Sequence, residues 1–497
     1  MEGAAQTVPA NWWAAVSFIG YLAAVVFAGL ATARFSSSGM TEFFLGGRKV
    51  SRFVVALSAV VSGRSAWLLL GLTGMAYKMG AQAVWAAVGY IVVELFLFLF
   101  YARRLRRFSE AYDCITLPDF FAARFNDDSG ALRKISVFII LIFMVSYVSA
   151  QFVGGGKAFA ASFSLDQTTG IFLTAGIVLF YTILGGFMAV SVTDVLQAVL
   201  MIVALILLPV TAIAAKGGLH QVIAELAALN PKLINPFAIA AGAGIGFAGI
   251  GLGSPGNPHI LVRYMSISDP DQLRISAIVG TTWNVLMAWG ALFIGLVGRV
   301  YFPEANMLPG GDTENLFPAL AQRHLHPALF GIVAASIFAA IMSTADSQLL
   351  VAASGIVRDI YEKLINQGKA LPQKKLVLYS RIVIALLTLA ALFLGMAAGE
   401  LVFWLVLFAW AGLGASLGPA SILALYWKRA TKAGIIAGLI SGAGTAIIWY
   451  YTPCLKSALY ELIPAFIVGA LTVIIVSLFT NPPDDVDNMF DIMKGND

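Results

Sequence analysis

The stretch Ser62-Gly63-Arg64-Ser65 places an arginine in the middle of an apolar segment that runs from Phe53 to Met75. A cation at the centre of a bilayer costs roughly 2.5–3.5 kcal/mol on insertion scales, so Arg64 must face protein, water or a carboxylate. Gly63 and the flanking serines favour a helix break, which membranes tolerate only where it lines a cavity. We therefore interpret the stretch as the solute and ion site of a secondary transporter. The alternative is a structural arginine that ties two helices together.

Composition places the chain among polytopic membrane proteins. Of its 497 residues 60% are hydrophobic and 11% are charged, against about 25% charged in soluble proteins. Apolar stretches long enough to cross about 30 Å of hydrocarbon predict an all-α membrane protein with thirteen transmembrane helices, numbered here as spans one to thirteen: 12–34, 51–77, 82–101, 131–160, 168–185, 188–215, 237–255, 274–301, 328–357, 377–398, 402–427, 432–451 and 459–480.

Charge distribution predicts the orientation. With the N-terminus outside, most of the 31 Lys and Arg residues fall on the inner side, as the positive-inside rule requires. The C-terminus is then cytoplasmic and the membrane is the plasma membrane (a bacterial-type inner membrane). Because the basic residues lie in short loops between spans, the net charge of +5 does not indicate nucleic-acid binding.

One transporter domain covers residues 1–497, and it divides into five predicted parts. They are the first span with its inner loop (1–50), repeat one (51–215), repeat two (237–427), two C-terminal spans (432–480) and an acidic cytoplasmic tail (481–497), which we expect to be disordered.

The second and seventh spans are both interrupted. The second contains Ser62–Ser65, and the seventh contains the glycine-rich segment from Gly242 to Pro258. These breaks lie five spans apart, so spans two to six and seven to eleven are predicted to be inverted repeats. Paired broken helices at corresponding positions indicate a binding site at mid-membrane.

The ninth span supplies polar partners for these breaks. One of its faces carries residues at helical spacing whose oxygens suit sodium, namely Ala340, Ser343, Thr344 and Ser347. The alternative is that the hydroxyls bond to their own helix or join helices. Asp346 and Asp194 each need a partner or a proton at membrane depth. Glu94 is interpreted as a packing carboxyl or one kept protonated.

Several blocks, in order along nearly the whole chain, carry a family resemblance. They are Phe44-Leu45-Gly46-Gly47-Arg48, Ala56-Leu57-Ser58-Ala59, Trp67-Leu68-Leu69-Leu70-Gly71, Thr116-Leu117-Pro118-Asp119, Gly185-Gly186-Phe187-Met188-Ala189-Val190-Ser191, Asn257-Pro258-His259-Ile260-Leu261 with Arg263, and Met342-Ser343-Thr344-Ala345-Asp346-Ser347-Gln348. The chain thus resembles the sodium:solute symporter family and is most similar to its bacterial sodium/proline symporters. The resemblance implies thirteen crossings, an outside N-terminus and the inverted repeat.

The resemblance also implies site residues. The sodium site would use backbone oxygens near Val61 and Arg64 together with Ala340, Ser343 and Thr344, and Asp194 would be a second ion or proton site. Substrate contacts would come from Ser65, Ala66, Trp67, Tyr147 and the break that contains Ile250, Ser254 and Asn257.

This chain departs from the family at the centre of that site. The proline symporters that this chain resembles have the motif Ser-Asp-Met-Ser-Gly-Trp, and the corresponding residues here are Ser62-Gly63-Arg64-Ser65-Ala66-Trp67. The family's Trp and Tyr of the seventh span are Ile250 and Ser254 here. Two interpretations of Arg64 follow: it lies against Ser343 and Thr344, pairs with Asp346 or Asp194 and replaces sodium, or it binds a solute carboxylate.

The resulting functional hypothesis is a transporter and not an enzyme. It moves a small organic solute, such as proline or a related carboxylate, by alternating access with coupling to sodium. One alternative is a sodium-independent or proton-coupled exchanger in which Arg64 replaces the ion, and another is a non-transporting solute sensor. The expected partners are the solute, sodium or a proton, and the lipid bilayer. No cofactor other than sodium is expected, and the oligomeric state stays open.

Overall fold

The computed structural model describes residues 12–36, 38–367, 371–397 and 401–495. Residues 1–11, on which the predicted outside N-terminus depends, lie outside this range. The described part is helical, with one isolated bridge between Val50 and Ile267. Its helices are α1 Trp12–Ser36, α2 Met40–Leu45, α3 Arg52–Ser62, α4 Thr73–Met79, α5 Val84–Phe96, α6 Ala102–Ala111, α7 Leu117–Arg124, α8 Ala131–Phe163, α9 Gln167–Ala215, α10 Leu219–Leu229, α11 Ala241–Ala248, α12 Pro258–Ser266, α13 Leu273–Tyr301, α14 Leu316–His324, α15 Pro327–Ser354, α16 Gln373–Ala397, α17 Val402–Tyr426, α18 Lys432–Tyr451, α19 Pro453–Ala458, α20 Leu462–Leu478 and α21 Val486–Lys494.

Wider π-type turns extend several of these helices. They occupy Trp67–Leu72 before α4, Leu97–Tyr101 between α5 and α6, and Gly355–Ile365 after α15. Across the described ranges, nine segments are long and apolar enough to cross a membrane. The protein is therefore a multi-pass helical membrane protein. Helices α15 and α17 are the most enclosed of these segments, each with 83% of its apolar window buried, and they form the centre of the bundle.

The fifth and sixth predicted spans meet inside α9, which runs for 49 residues. Its one interruption is Gly186, with φ 57° and ψ −161°, a backbone conformation that is essentially restricted to glycine. The chain changes direction there without a loop. This glycine explains why two apolar segments separated by only two residues behave as separate elements.

Two helical segments continue past the predicted ends of their spans. The seventh span was expected to end at 255, but the chain continues through a 3₁₀ segment, Gly249–Gly256, into α12. Pro258 occupies the first turn of α12, where its missing N–H costs nothing, so it begins a helix instead of ending one. The third span was expected to end at 101, but the helix continues to Ala111 and carries the basic residues 103–107.

The described part of the acidic tail, residues 481–495, is ordered, against the expectation of disorder. Helix α21 buries Met489, Phe490 and Met493 and packs on α6. The guanidinium of Arg124 lies 5.2 Å from the centre of the Phe490 ring. The acidic residues before and within α21 led to the prediction of disorder, although one face of this helix is apolar.

Candidate functional site

Oxygen atoms of α3 and α15 meet at the break in the first repeat. Ser343 Oγ lies 3.3 Å from the Val61 carbonyl oxygen and 3.1 Å from that of Ala340. Thr344 Oγ1 donates to the Ser62 carbonyl at 2.9 Å. All of these residues are buried. Carbonyl and hydroxyl oxygens in this arrangement are the ligands that hard cations prefer.

The break itself positions these oxygens. Helix α3 ends in a tight turn in which Arg64 N donates to the Val61 carbonyl at 3.0 Å. Ser65 then adopts a φ of +45°, which L-residues rarely do. The Arg64 carbonyl, predicted as an ion ligand, accepts from Leu68 N at 3.0 Å and so takes part in the following turn.

Arg64 belongs to a second buried cluster, which it forms with residues of α5 and α13. Its guanidinium forms an ion pair with Glu94 of α5, and its Nε donates to Asn284 Oδ1 of α13 at 2.8 Å. Asn284 Nδ2 donates to Glu94 at 2.7 Å, which closes a ring of three side chains. The Tyr90 ring covers one face of the guanidinium, 3.8 Å from Cζ to the ring centre.

These contacts correct three expectations. Arg64 pairs with neither Asp194 nor Asp346, and it donates no hydrogen bond to Ser343 or Thr344. The interpretation of Arg64 as a substitute for sodium is therefore wrong. Glu94 is also not a simple packing carboxyl, because it balances the charge of Arg64. The sequence contains a signal for this pairing. Tyr90 and Glu94 are four residues apart and share one helix face, so both can contact the same arginine.

Asp194 instead pairs with Arg263 of α12, at 3.3 Å from Nη2 to Oδ2. The same carboxylate oxygen accepts from Ser58 Oγ at 2.5 Å. Arg263 also donates to the carbonyl of His259 at 2.6 Å and to the hydroxyl of Ser347. This role of Arg263 was not predicted from the sequence, in which the residue belongs to a family motif, although an arginine in the same membrane as an unpaired Asp is a usable signal.

Asp346 has hydroxyl partners only. Its carboxylate accepts from Tyr181 OH and from Ser347 Oγ, and within the described chain it takes part in no ion pair. Ser347 links it to the cluster around Arg263. Arg263 thus pairs directly with Asp194, and Ser347 connects it to Asp346, which lies on the same helix as Ser343 and Thr344.

A small central cavity lies between the two broken helices. The volume open to water is about 10 Å³, room for about one water molecule. Four predicted substrate residues line it, namely Arg64, Trp67, Tyr147 and Ile250, together with residues that the sequence analysis missed, including Tyr90, Leu407 and Trp410. Trp410 Nε1 donates to the Ile250 carbonyl at 2.8 Å and so holds the second break.

The other predicted substrate residues form hydrogen bonds with neighbouring side chains and backbone. Ser65 Oγ accepts from Tyr147 OH at 3.4 Å, and Ala66 N donates to Gln151 at 2.9 Å. Ser254 Oγ donates to Glu94 at 3.4 Å. Asn257 Nδ2 donates to the Gly253 carbonyl at 2.8 Å. These four are not among the residues that line the central cavity.

A family model and two relatives of known function match most of the chain. The family model "Sodium:solute symporter family" matches residues 43–442. The osmoregulated proline transporter OpuE of Bacillus subtilis is 37% identical over 92% of this chain and 93% of its own. A sodium/proline symporter of Staphylococcus aureus is 36% identical over 98% of both chains.

Solved structures support the fold. A Na⁺-coupled sialic acid symporter in a substrate-bound, outward-open state matches with a TM-score of 0.80 at 19% identity, over 95% of this chain and 99% of its own. A nucleobase-cation-symport-1 family transporter gives a TM-score of 0.57 at 13% identity, over 92% and 99% of the two chains. The chain therefore belongs to the sodium:solute symporter family, whose members are membrane transporters and not enzymes.

Proposed function

We propose that the protein is a sodium-coupled transporter of proline or of a closely related compact zwitterion. The carrying observation is the group of buried oxygens from Val61, Ala340, Ser343 and Thr344 where α3 meets α15. Asp346, on the same helix as three of these residues and in no described ion pair, would contribute one negative charge when ionised. A single monovalent cation among these oxygens would neutralise that charge. Asp194 would then hold Arg263 and α12 in place, in addition to any direct part in ion binding.

The relatives and the cavity support the solute. Both compared relatives are named as proline transporters. The central cavity offers Arg64 for a carboxylate and the aromatic rings of Trp67, Tyr147 and Trp410 for an apolar ring and an ammonium group. Its small volume means that the surrounding helices must move apart to admit the solute.

A larger cavity of about 780 Å³ adjoins the central one, and Ile250 and Leu407 line both. We propose that this larger cavity is the outer approach to the site and that Ile250 and Leu407 separate the two. Movement of the Ile250 break, which Trp410 holds, would open this path during alternating access.

We also propose the predicted topology in full. Thirteen crossings are obtained from α1, α3–α4, α5–α6, α8, the two halves of α9 on either side of Gly186, α11–α12, α13, α15, α16, α17, α18 and α20. The N-terminus would lie outside, the C-terminus in the cytoplasm, and the membrane would be the plasma membrane. Spans two to six and seven to eleven would form the inverted repeats.

Uptake of radiolabelled proline into proteoliposomes tests the proposed function. An inward sodium gradient should drive accumulation above the level reached with choline or potassium in its place. Asp346, which lies in no described ion pair, favours proton coupling as a second candidate, so a pH gradient without sodium is the matched arm. Accumulation that follows the pH gradient and ignores sodium would contradict sodium coupling.

A further inference from the structure

One buried ion pair lies beside the central cavity. Arg64 lines that cavity, whereas Glu94 is held behind Arg64 by Asn284 and Ser254. The side chains of Arg64 and Glu94 are 2% and 3% exposed. Charges in such an interior are weakly screened. A solute in the cavity therefore experiences both charges and not Arg64 alone.

We infer that the Arg64–Glu94 pair selects solutes by net charge, so that the site takes net-neutral zwitterions and binds net anions and net cations poorly. This inference rests on the proposed solute uptake and defines the class of solute. It makes Glu94 a specificity-determining residue that touches no solute.

The geometry of Arg64 supports the rule. Its Nε donates to Asn284 at 2.8 Å and its Nη1 donates to the Gly63 carbonyl at 3.3 Å. The Tyr90 ring covers one face of the guanidinium. Glu94 neutralises the remaining charge. A net anion would therefore meet a cation whose charge is already balanced, and a net cation would meet a carboxylate that is already paired.

Unpaired donors on the cavity wall indicate the functional groups of the zwitterion. Trp67 and Tyr90 line the cavity, and within the described ranges neither the Trp67 indole N–H nor the Tyr90 hydroxyl has a hydrogen-bond partner. Buried donors are normally satisfied, so these two would donate, in addition to Arg64, to the carboxylate of a neutral zwitterion. The faces of Tyr147 and Trp410 suit the ammonium end.

A series of ligands that have nearly the same shape but differ in net charge tests the rule on the purified full-length protein. Proline is net neutral, cyclopentanecarboxylate is its net-anionic analogue, and prolinamide is its net-cationic analogue. Dissociation constants come from thermal shifts in sodium buffer, because a ligand of the folded state stabilises it in proportion to ln(1 + [L]/Kd). The proteins are wild type, Glu94→Gln, Arg64→Met and the double variant.

Preference should follow the net charge of the pair. Glu94→Gln leaves a positive charge, which should move the ratio of anion to zwitterion affinity about 30-fold towards cyclopentanecarboxylate, the effect of one charge about 8 Å away at an effective dielectric constant of 20. Arg64→Met should move the preference by a similar factor towards prolinamide. The double variant restores neutrality and should rank proline first, as wild type does.

Each other outcome has a defined meaning. Unchanged ratios in both single variants would overturn the rule, as would a wild type that binds cyclopentanecarboxylate more tightly than any zwitterion or binds no zwitterion. If the single variants do not fold, a double variant that ranks an ion first overturns the rule, and one that ranks proline first upholds it. If glycine betaine binds and proline does not, the proposed solute is wrong and the charge rule stands.

Discussion

At the scale of the residue, the buried hydroxyls of Ser343 and Ser336 on α15 form different hydrogen bonds. Ser343 faces the Val61 carbonyl across the helix interface, whereas Ser336 bonds only within its own helix, to the Val333 carbonyl at 2.6 Å. Both side chains are fully buried. The pair therefore separates the effect of losing an inter-helix oxygen from the effect of losing any buried hydroxyl.

Ser343→Ala should raise the sodium concentration needed for half-maximal uptake by about 10-fold or more. The reason is that an interaction with a charged group contributes about 1.5–3 kcal/mol, and 1.4 kcal/mol corresponds to a factor of ten. Ser336→Ala is the control and should leave the sodium requirement near that of wild type. Equal sodium curves for both variants would contradict the assignment of Ser343.

Two buried carboxylates should respond differently to neutralisation. Asp194→Asn leaves Arg263 buried without its ion-pair partner, a loss that typically costs about 3–5 kcal/mol. Asp346→Asn changes a carboxyl group whose described partners are hydroxyls, so the melting temperature should fall less while sodium affinity falls more. Thermal unfolding in detergent and sodium-dependent uptake measure the two effects. A larger loss of stability in Asp346→Asn would contradict the charge assignment.

At the scale of the element, helix breaks decide where the oxygens and arginines lie. The breaks in the second and seventh spans could be predicted because glycine, serine and proline cluster within apolar segments. The continuation into α12 could not, because the same proline that stops one helix starts another. Helices α6 and α21 were missed because a basic or acidic run dominates the local composition, whereas burial of the opposite apolar face decides the structure.

The break in α9 depends on one glycine. Gly186→Ala should destabilise the protein by about 1–3 kcal/mol, since a β-carbon disfavours φ 57° with ψ −161°. Gly176→Ala is the matched control on the same helix, because a β-carbon added there would meet no heavy atom within 4 Å, and alanine favours the helix. Melting temperatures of the two variants should move in opposite directions, and a Gly186→Ala variant as stable as wild type would contradict the assigned break.

At the scale of the whole molecule, charges balance across helices that are distant in sequence. The sequence contains every charged residue of the two clusters but not their pairing. Glu94, Asp194 and Asp346 all lie within the predicted membrane spans as candidate partners for Arg64. Glu94, interpreted as a packing carboxyl or one kept protonated, is the partner. Pairing depends on which face each helix turns towards its neighbour, and that follows from packing that local patterns do not encode.

This balance also predicts how many ions accompany each solute. Arg64 pairs with Glu94 and Arg263 pairs with Asp194, so an ionised Asp346 would supply one further negative charge for one sodium. A second cation about 4 Å from the first would be repelled by roughly 4 kcal/mol at an effective dielectric constant of 20. Transport of a net-neutral solute should therefore carry one elementary charge.

The ratio of charge to proline flux tests this most directly. It is obtained from the membrane potential at which net radiolabelled flux into proteoliposomes reverses, at fixed sodium and proline gradients. The account predicts one positive charge for each proline at every sodium gradient. A ratio of zero, or of two, would contradict a single sodium held beside the break at Arg64.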